Sequence, residues 1–252
     1  MRPVRASPPC PQCRDLGGCH VSSAGGAFAA VYGKYLFAGL NVVVVSDPTA
    51  PTVVGRLPLS GSGTPTGLAV SGTNAYVVDD SGRLHIVDVS DPRASGEIGY
   101  VDFGEPAYDV AISGTYAYVV THGWYCDDEG CTRVNGSLRI LDISGGSCAK
   151  PVSTIGRPKA PEGVLVSGGY AYVVEQSTNF YTYAGQLTVV DVRNAAAPVD
   201  VAWAGTPSWN SYVIGYGPQG VAALGNSIYL TTPWGLYVYA AFSAAPSPYV
   251  CQ

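Results

Sequence analysis

Apolar residues in this chain recur at every second position in short runs, and the runs break at glycine, asparagine or Asp-Pro. A period of two is the pattern of a half-buried strand. Three segments repeat almost unchanged: GLAVSGTNAYVVDD around Gly72, DVAISGTYAYVVTH around Gly114 and GVLVSGGYAYVVEQ around Gly168. Two weaker copies flank them, AAVYGKYLFAG around Gly33 and GVAALGNSIYLTT around Gly225. Four residues after each glycine stands an aromatic: Phe37, Tyr76, Tyr118, Tyr172 and Tyr229. A further apolar strand then begins at Leu40, Leu84, Leu138, Leu187 and Leu236. After the second of these, Asp-Pro turns the chain into a last strand, EIGYVDF.

Each unit thus predicts a four-stranded meander of roughly 40 to 45 residues, the size of a propeller blade. Some strands are apolar on both faces, as sheets stacked between neighbouring sheets must be. The expected fold is all-β, a β-propeller of about five four-stranded blades. A solenoid is the competing repeat architecture, but it would leave two apolar ends to cap. The expected organisation is a Cys/Pro/Gly-rich segment over 1–26 and a propeller over 27–252, with repeats at about 27–63, 64–104, 105–160, 161–217 and 218–252. Pro246 to Cys251 would form the final strand, and residues 1–26 are a candidate edge strand. Whether five blades close within one chain stays open at this point.

The pattern Gly-x-Ala-Tyr-Val-Val followed by Leu-x-Ile-Val-Asp-Val-Ser-Asp-Pro resembles the LVIVD repeat, a repeat of bacterial and archaeal surface proteins. The resemblance runs from residue 27 to 250, strongest in the second, third and fourth copies. It implies a β-propeller at the cell surface, and it implies no catalytic residue.

Composition narrows the reading further. Charged residues are 12% of the chain, against about 25% in a typical globular protein. Eighteen tyrosines and four tryptophans demand burial or a partner, which argues against disorder. A net charge of −5 gives no basic face for nucleic acid. No transmembrane segment is legible. The most apolar stretch, Ala27 to Val45, is broken by Gly33, Lys34, Gly39 and Asn41 and fits the repeat. No signal peptide is legible either, because Ala6 to Gly18 holds three prolines and no apolar core.

Repeat spacing locates the irregular parts. In an up-and-down blade the first and third turns share one rim, and the second hairpin and the links between blades share the other. The distances from the aligned glycine to the aligned leucine are 7, 12, 24, 19 and 11. Long hairpin loops are therefore expected at 121–136 and 175–186, with a long link at 205–217, all on one rim. These segments carry Trp124, Tyr125, Phe180, Tyr181, Tyr183, Trp209, Tyr212 and Tyr216, and a neighbouring hairpin adds Trp234. Turn chemistry does not call for such rings. Two roles fit them: packing over the channel mouth, or recognition of a partner, since Trp and Tyr dominate hot spots. Asn179, Asn210 and Gln176 beside the rings would suit a sugar. The acidic run Asp127, Asp128 and Glu129 lacks the spacing of a calcium loop and reads as a solvated tip. Asp88, Asp142 and Asp191 recur at one repeat position and are expected to bond backbone turns between blades. His85 falls where other copies hold Asn41, Arg139, Thr188 and Tyr237, which suggests an exposed strand face.

Of the seven cysteines, Cys126 and Cys131 bracket a four-residue tip and are the clearest disulfide candidates. Cys251 and one of Cys10, Cys13 and Cys19 form a second candidate pair across the closure seam. Disulfides imply an oxidising compartment, so the expected location is extracellular, periplasmic or cell-surface. Cys10, Cys13, Cys19 and His20 also match zinc in ligand type. Their spacing fits tetrahedral zinc and covalent haem attachment poorly, and no cofactor is expected. No Gly-x-Ser-x-Gly elbow, phosphate loop or His-Glu-x-x-His segment occurs. The leading expectation is a non-enzymatic binding scaffold for a protein or polysaccharide partner. A structural subunit of a surface layer, filament or larger homo- or hetero-oligomer is the alternative. A channel-site enzyme or redox protein is the second alternative.

Overall fold

The repeated two-residue breaks set the strand boundaries. In a computed structural model that describes residues 28–127, 130–157, 159–176, 185–205, 220–232 and 235–242, each aligned glycine is the first residue of a two-residue turn. Gly33, Gly72, Gly114, Gly168 and Gly225 have φ of 59, 57, 58, 61 and 57°. That left-handed conformation costs any residue with a Cβ about 1–2 kcal/mol, so the sequence keeps glycine there in all five copies.

The strands between the breaks form five antiparallel sheets. The first holds β1 (Ala29–Tyr32), β2 (Tyr35–Ala38), β3 (Asn41–Val44) and β4 (Thr52–Arg56). The second holds β5 (Pro65–Ser71), β6 (Asn74–Asp79), β7 (Arg83–Asp88) and β8 (Gly96–Asp102). The third holds β9 (Ala107–Ser113), β10 (Tyr116–Asp127), β11 (Gly130–Asp142) and β12 (Lys150–Arg157). The fourth holds β13 (Ala160–Ser167), β14 (Tyr170–Gln176), β15 (Gln186–Asp191) and β16 (Val199–Gly205). The fifth holds β17 (Gly220–Leu224), β18 (Ser227–Thr232) and β19 (Gly235–Ala240) among the described residues. In every sheet the strands pair in chain order, and the sheets are the blades of a five-bladed β-propeller. The first strands β1, β5, β9, β13 and β17 pack on one another in succession and line the axis.

The core lies between blades rather than inside them. Four apolar clusters fill four successive seams. The repeat aromatics anchor them: Phe37, Tyr76, Tyr118 and Tyr172 are all buried, each against the following blade. Burying one such ring contributes roughly 1.5–3 kcal/mol, which explains its return in every copy.

A second rule holds the outer edge. Gly55 on β4 and Gly99 on β8 occupy one repeat position, and Ser153 on β12 and Ala202 on β16 are its later copies. A Cβ on Gly55 would lie 2.3 Å from the Pro92 carbonyl oxygen, and one on Gly99 would lie 2.1 Å from that of Ser147. In the third blade Ser153 donates instead to the Ala195 carbonyl at 2.6 Å. The outer strands β4, β8 and β12 thus each meet the last turn of the next blade.

Two expectations need correction. Segments 121–127 and 130–136 are not loop: β10 and β11 continue their ladder beyond the neighbouring hairpins, from Tyr116↔Asp142 out to Asp127↔Gly130, with one bulge near Gly123. The two strands form an arm, because hydrogen bonds between them satisfy backbone that would otherwise need solvent. The recurring aspartates bond their own turns rather than neighbouring blades. Asp88, Asp142 and Asp191 accept from the backbone N–H of Ser90, Ser144 and Arg193, two residues on in each case. An Asx turn of this kind needs no second blade.

Candidate functional site

The rim that carries the links between blades is polar where the seams below it are apolar. At each of three seams a strand pair presents polar side chains under the incoming link. In the second blade the pair is Asp79 on β6 and His85 on β7. His85 is fully buried, against the exposed-face expectation, and both ring nitrogens are engaged. Its Nε2 lies 3.0 Å from Asp79 and its Nδ1 lies 2.7 Å from Glu97 on β8. The link side is closed by Ser60, whose N–H and hydroxyl both donate to Glu97. Burial pushes the Asp79 and Glu97 carboxyls up, but the bonds from His85 and from Arg83 N–H or Ser60 outweigh it and hold both below the usual range.

The third and fourth blades reuse the two positions with other chemistry. Thr121 on β10 and Arg139 on β11 meet Glu105 of the link, and the guanidinium also lies over the Phe103 ring at 5.3 Å. Burial pushes Glu105 up, and Arg139 and Thr121 more than reverse it. In the fourth blade Glu175 on β14 accepts from Thr188 on β15 at 2.9 Å, and Arg157 lies 3.7 Å away. Arg157 stands where earlier links place Leu59 and Phe103, and it also binds Asp200. Here burial wins: the Glu175 carboxyl is raised despite Thr188 and Arg157. These groups fasten each incoming link to the blade it enters: Asp79, His85, Arg157 and Glu175 are buried, while Glu105 and Arg139 are partly exposed.

The channel mouth between the third and fourth blades differs. Tyr108 on β9 and Glu162 on β13 are copies of one inner-strand position, held by Thr66 on β5. Thr66 spans the preceding seam by donating to the Ala107 carbonyl at 2.6 Å. The Tyr108 ring stacks on His122 at 3.8 Å with a 5° interplanar angle. Trp124, on the arm, donates from Nε1 to the Tyr108 hydroxyl at 2.9 Å. His122 is fully buried, with Nε2 3.4 Å from Glu162, whereas Trp124 is 48% exposed. One exposed tryptophan is thereby fixed by groups from two inner strands. Next to Tyr108, Asp109 stands where three of the other copies have glycine (Gly67, Gly163, Gly220) and the first has Phe28. Its carboxylate accepts from Val110 N–H and, across the seam, from Val164 N–H. Burial pushes its pKa up to about 6 against those two bonds.

Of the sequence candidates, Trp124 sits at this mouth, and Tyr125 follows it on β10. Tyr181, Tyr183, Trp209, Tyr212, Tyr216 and Trp234 lie outside the described residues, as do Cys10, Cys13, Cys19, His20 and Cys251. Cys126 and Cys131 face each other directly in the arm register. Cys148 is an exposed free cysteine. Among the described residues no three His, Cys, Asp or Glu side chains are grouped to hold a metal. Among the described residues no helix is long and apolar enough to cross a membrane. Sequence reasoning passed over Tyr108, Glu162 and Asp109. Their signal was present as departures from the repeat at inner-strand positions. It also passed over Trp203, 72% exposed on the outer strand β16.

Comparison with solved structures returns chains of similar fold, a β-propeller domain among them. Hydrazine synthase of Kuenenia stuttgartiensis is 18% identical with a TM-score of 0.55, covering 86% of this chain and 58% of that one. The Cps50 (Swd1) β-propeller domain of Myceliophteria thermophila is 11% identical with a TM-score of 0.56, over 83% and 67%. The computationally designed Ika8 protein is 10% identical with a TM-score of 0.55, over 84% and 57%. This chain thus spans under two thirds of the hydrazine synthase and Ika8 chains, and at these identities the likeness is one of fold. No curated protein matches by sequence. The LVIVD repeat profile matches residues 29–57, 62–102, 104–124 and 161–202. The match breaks off at Trp124, where the arm leaves the blade, and resumes at Pro161. With more than half its length covered by the repeat, the chain belongs to the LVIVD-repeat family.

Proposed function

We propose that the protein is a non-enzymatic binding scaffold of the cell exterior, which presents the link rim, and the arm above all, to a protein or polysaccharide partner. The observation that carries this reading is Trp124. A tryptophan half exposed to water, yet fixed through its indole N–H and a stacked Tyr–His pair, loses little freedom on binding. The repeat spacing leads us to expect the aromatic residues at 181, 183, 209, 212, 216 and 234 on the same rim, and they lie outside the described residues. A Cys126–Cys131 disulfide would staple the arm tip, since the two residues are direct cross-strand partners. That bridge is the support for an oxidising location.

The test is a glycan array together with cross-linking to an extract of surface proteins from the source cells. Trp124→Ala is the comparison, with its far-UV circular dichroism and melting curve recorded. Binding that falls at least tenfold in a folded variant supports the reading. Binding unchanged by Trp124→Ala removes the arm from it.

The exposed outer strands favour a second reading, a subunit of a larger assembly. Val53 on β4, Tyr100 on β8 and Val199 and Trp203 on β16 are 63, 53, 59 and 72% exposed. Scattered apolar residues are normal on a surface, but edge strands bearing them invite pairing. Light scattering coupled to size exclusion separates the two: a 26.1 kDa monomer disfavours the assembly, and a stable multimer supports it.

A further inference from the structure

Four seams of the propeller are filled by apolar clusters, and each joins the forward face of one blade to the rear face of the next. The forward face carries the repeat aromatic and two apolar residues of the third strand. In the fourth blade these are Tyr172, Leu187 and Val189, which are 2, 3 and 7% exposed. In the fifth blade the same three positions hold Tyr229, Leu236 and Val238. Tyr229 is partly exposed, and Leu236 and Val238 are 59 and 57% exposed. The other face of this blade is closed, with Ile228 and Leu230 buried against the fourth blade.

The first blade shows the converse. Its forward face is closed by Phe37 and Val42, packed on the second blade. Its rear face presents Val31, Leu36 and Val43, aligned across β1, β2 and β3. Leu36 and Val43 correspond to Ala75 and Val87, which are fully buried in the second blade. Here both are partly exposed, and Val31 is exposed. Nor does β17 pack on β1 as the other first strands pack on their neighbours. The forward face of the fifth blade and the rear face of the first are thus the two halves of one more seam, and among the described residues they do not meet. No Lys, Arg, Asp or Glu stands at these six positions, and depletion of charge marks the core of an interface.

We propose that the fifth blade docks on the first blade of a second copy of this chain, through a heterologous joint that repeats the seam within the chain. The surfaces select a second copy because its rear face is of the kind that already fits forward faces four times in each chain. An unrelated partner would have to reproduce, strand for strand, a complement that this chain carries itself. Each copy presents one forward and one rear face. Two copies therefore close a ring if the rotation between them allows it, and a filament grows if it does not. The inference rests on the assembly reading and gives it a different address, the faces of the end blades in place of the outer strands.

The experiment follows the mass of the full chain by sedimentation velocity over a concentration series, and a multimer is expected. Val238→Asp on β19 and Val31→Asp on β1 should each weaken it roughly tenfold or more, because the joint would then bury a charge without a partner. Both positions are exposed in the single chain, so its melting curve should hardly move. Mixing the two variants should restore pairing, since each keeps the face that the other has lost. A photo-crosslinker in place of Leu236 on 15N-labelled chains, mixed with unlabelled native chains, should capture residues 29–45 of the unlabelled copy. A monomer overturns both this proposal and the assembly reading. A multimer that the face variants leave intact overturns this proposal alone, and its loss in Trp203→Ser and Tyr100→Ser assigns assembly to the outer strands. A mixture of variants that does not pair overturns the heterologous joint. Cross-links confined to one chain overturn it as well, because the fifth blade then closes on its own chain. Should a face variant fail to fold, the cross-link to the native chain decides.

Discussion

On one rim of the propeller all five blades turn through a glycine at nearly the same φ, and three of them close the next turn with an aspartate bonded to the N–H two residues on. On the other rim the same two strand positions hold Asp79 and His85, then Thr121 and Arg139, then Glu175 and Thr188. The first rim is fixed by backbone geometry, which one residue type satisfies best. The second is fixed by a sum of charge and hydrogen bonds, which many residue sets satisfy. Repetition therefore survives where sterics decide, and variety accumulates where only the balance matters. The arm, with its aromatic mouth, grows out of the permissive rim.

That contrast can be broken most forcefully at Arg157. Replacing it with leucine, the residue type at the matching place in the first link, leaves Glu175 buried without its guanidinium. The expected loss is about 3–5 kcal/mol, read by urea unfolding. Adding Glu175→Leu should restore most of it, because the link rim constrains the sum and not the residue. A double variant no more stable than the single one would contradict the claim.

Next in size is Gly99→Ala, whose methyl would meet the Ser147 carbonyl oxygen at 2.1 Å. An overpacking cost of about 1–3 kcal/mol is expected, with no compensating partner available. Gly114→Ala, on the turn rim, has open space around its Cβ but a φ of 58°. It should cost about 1–2 kcal/mol from backbone strain alone, in thermal or urea unfolding.

Asp109 supplies a pH-dependent effect. Its folded pKa, about 6, lies above the unfolded value of 3.8, so the folded state binds more protons in that interval. The stability it contributes is present below about pH 4 and is lost as pH rises through about 6. Asp79, Glu97 and Glu105 are shifted the other way, and their contribution is lost as pH falls below the ordinary carboxylate range. Difference melting curves of Asp109→Asn against the native protein should isolate the first slope. An identical pH profile in the variant would show that Asp109 does not contribute it. The smallest effect belongs to Asp142→Ala, which removes one exposed turn bond and should lower Tm only slightly.

The blades were legible in the sequence because sterics wrote them five times. Gly72, Gly114 and Gly168 with their Tyr76, Tyr118 and Tyr172 show period, turn and core together. The site was legible only in part. Trp124 stood out as a ring where a turn needs none. His85 misled because variability at its position looked like exposure. In the second and fourth blades the position is buried, and it varies because its partners vary with it: Asp79 and Glu97 for His85, Glu105 for Arg139, Glu175 for Thr188. Tyr108, His122 and Glu162 were hidden for another reason. Tyr108 and His122 meet through the pairing of β9 with β10, and only the stacking of one blade on the next brings Glu162 to them.

The contact of these outer strands with the last turn of the next blade has a consequence for ancestry. Gly55 receives the turn of the second blade, Gly99 that of the third, and Ser153 that of the fourth. At these three seams one unit carries a socket for its successor and the next carries the plug, a head-to-tail contact with a fixed direction. Gene duplication within such a chain inherits both halves of the joint at once. A copied unit is compatible with its neighbours from the first generation, while its other rim is free to diverge. Lineages of this kind can change blade number by copying alone, and can acquire a new arm on one blade without renegotiating any of the seams.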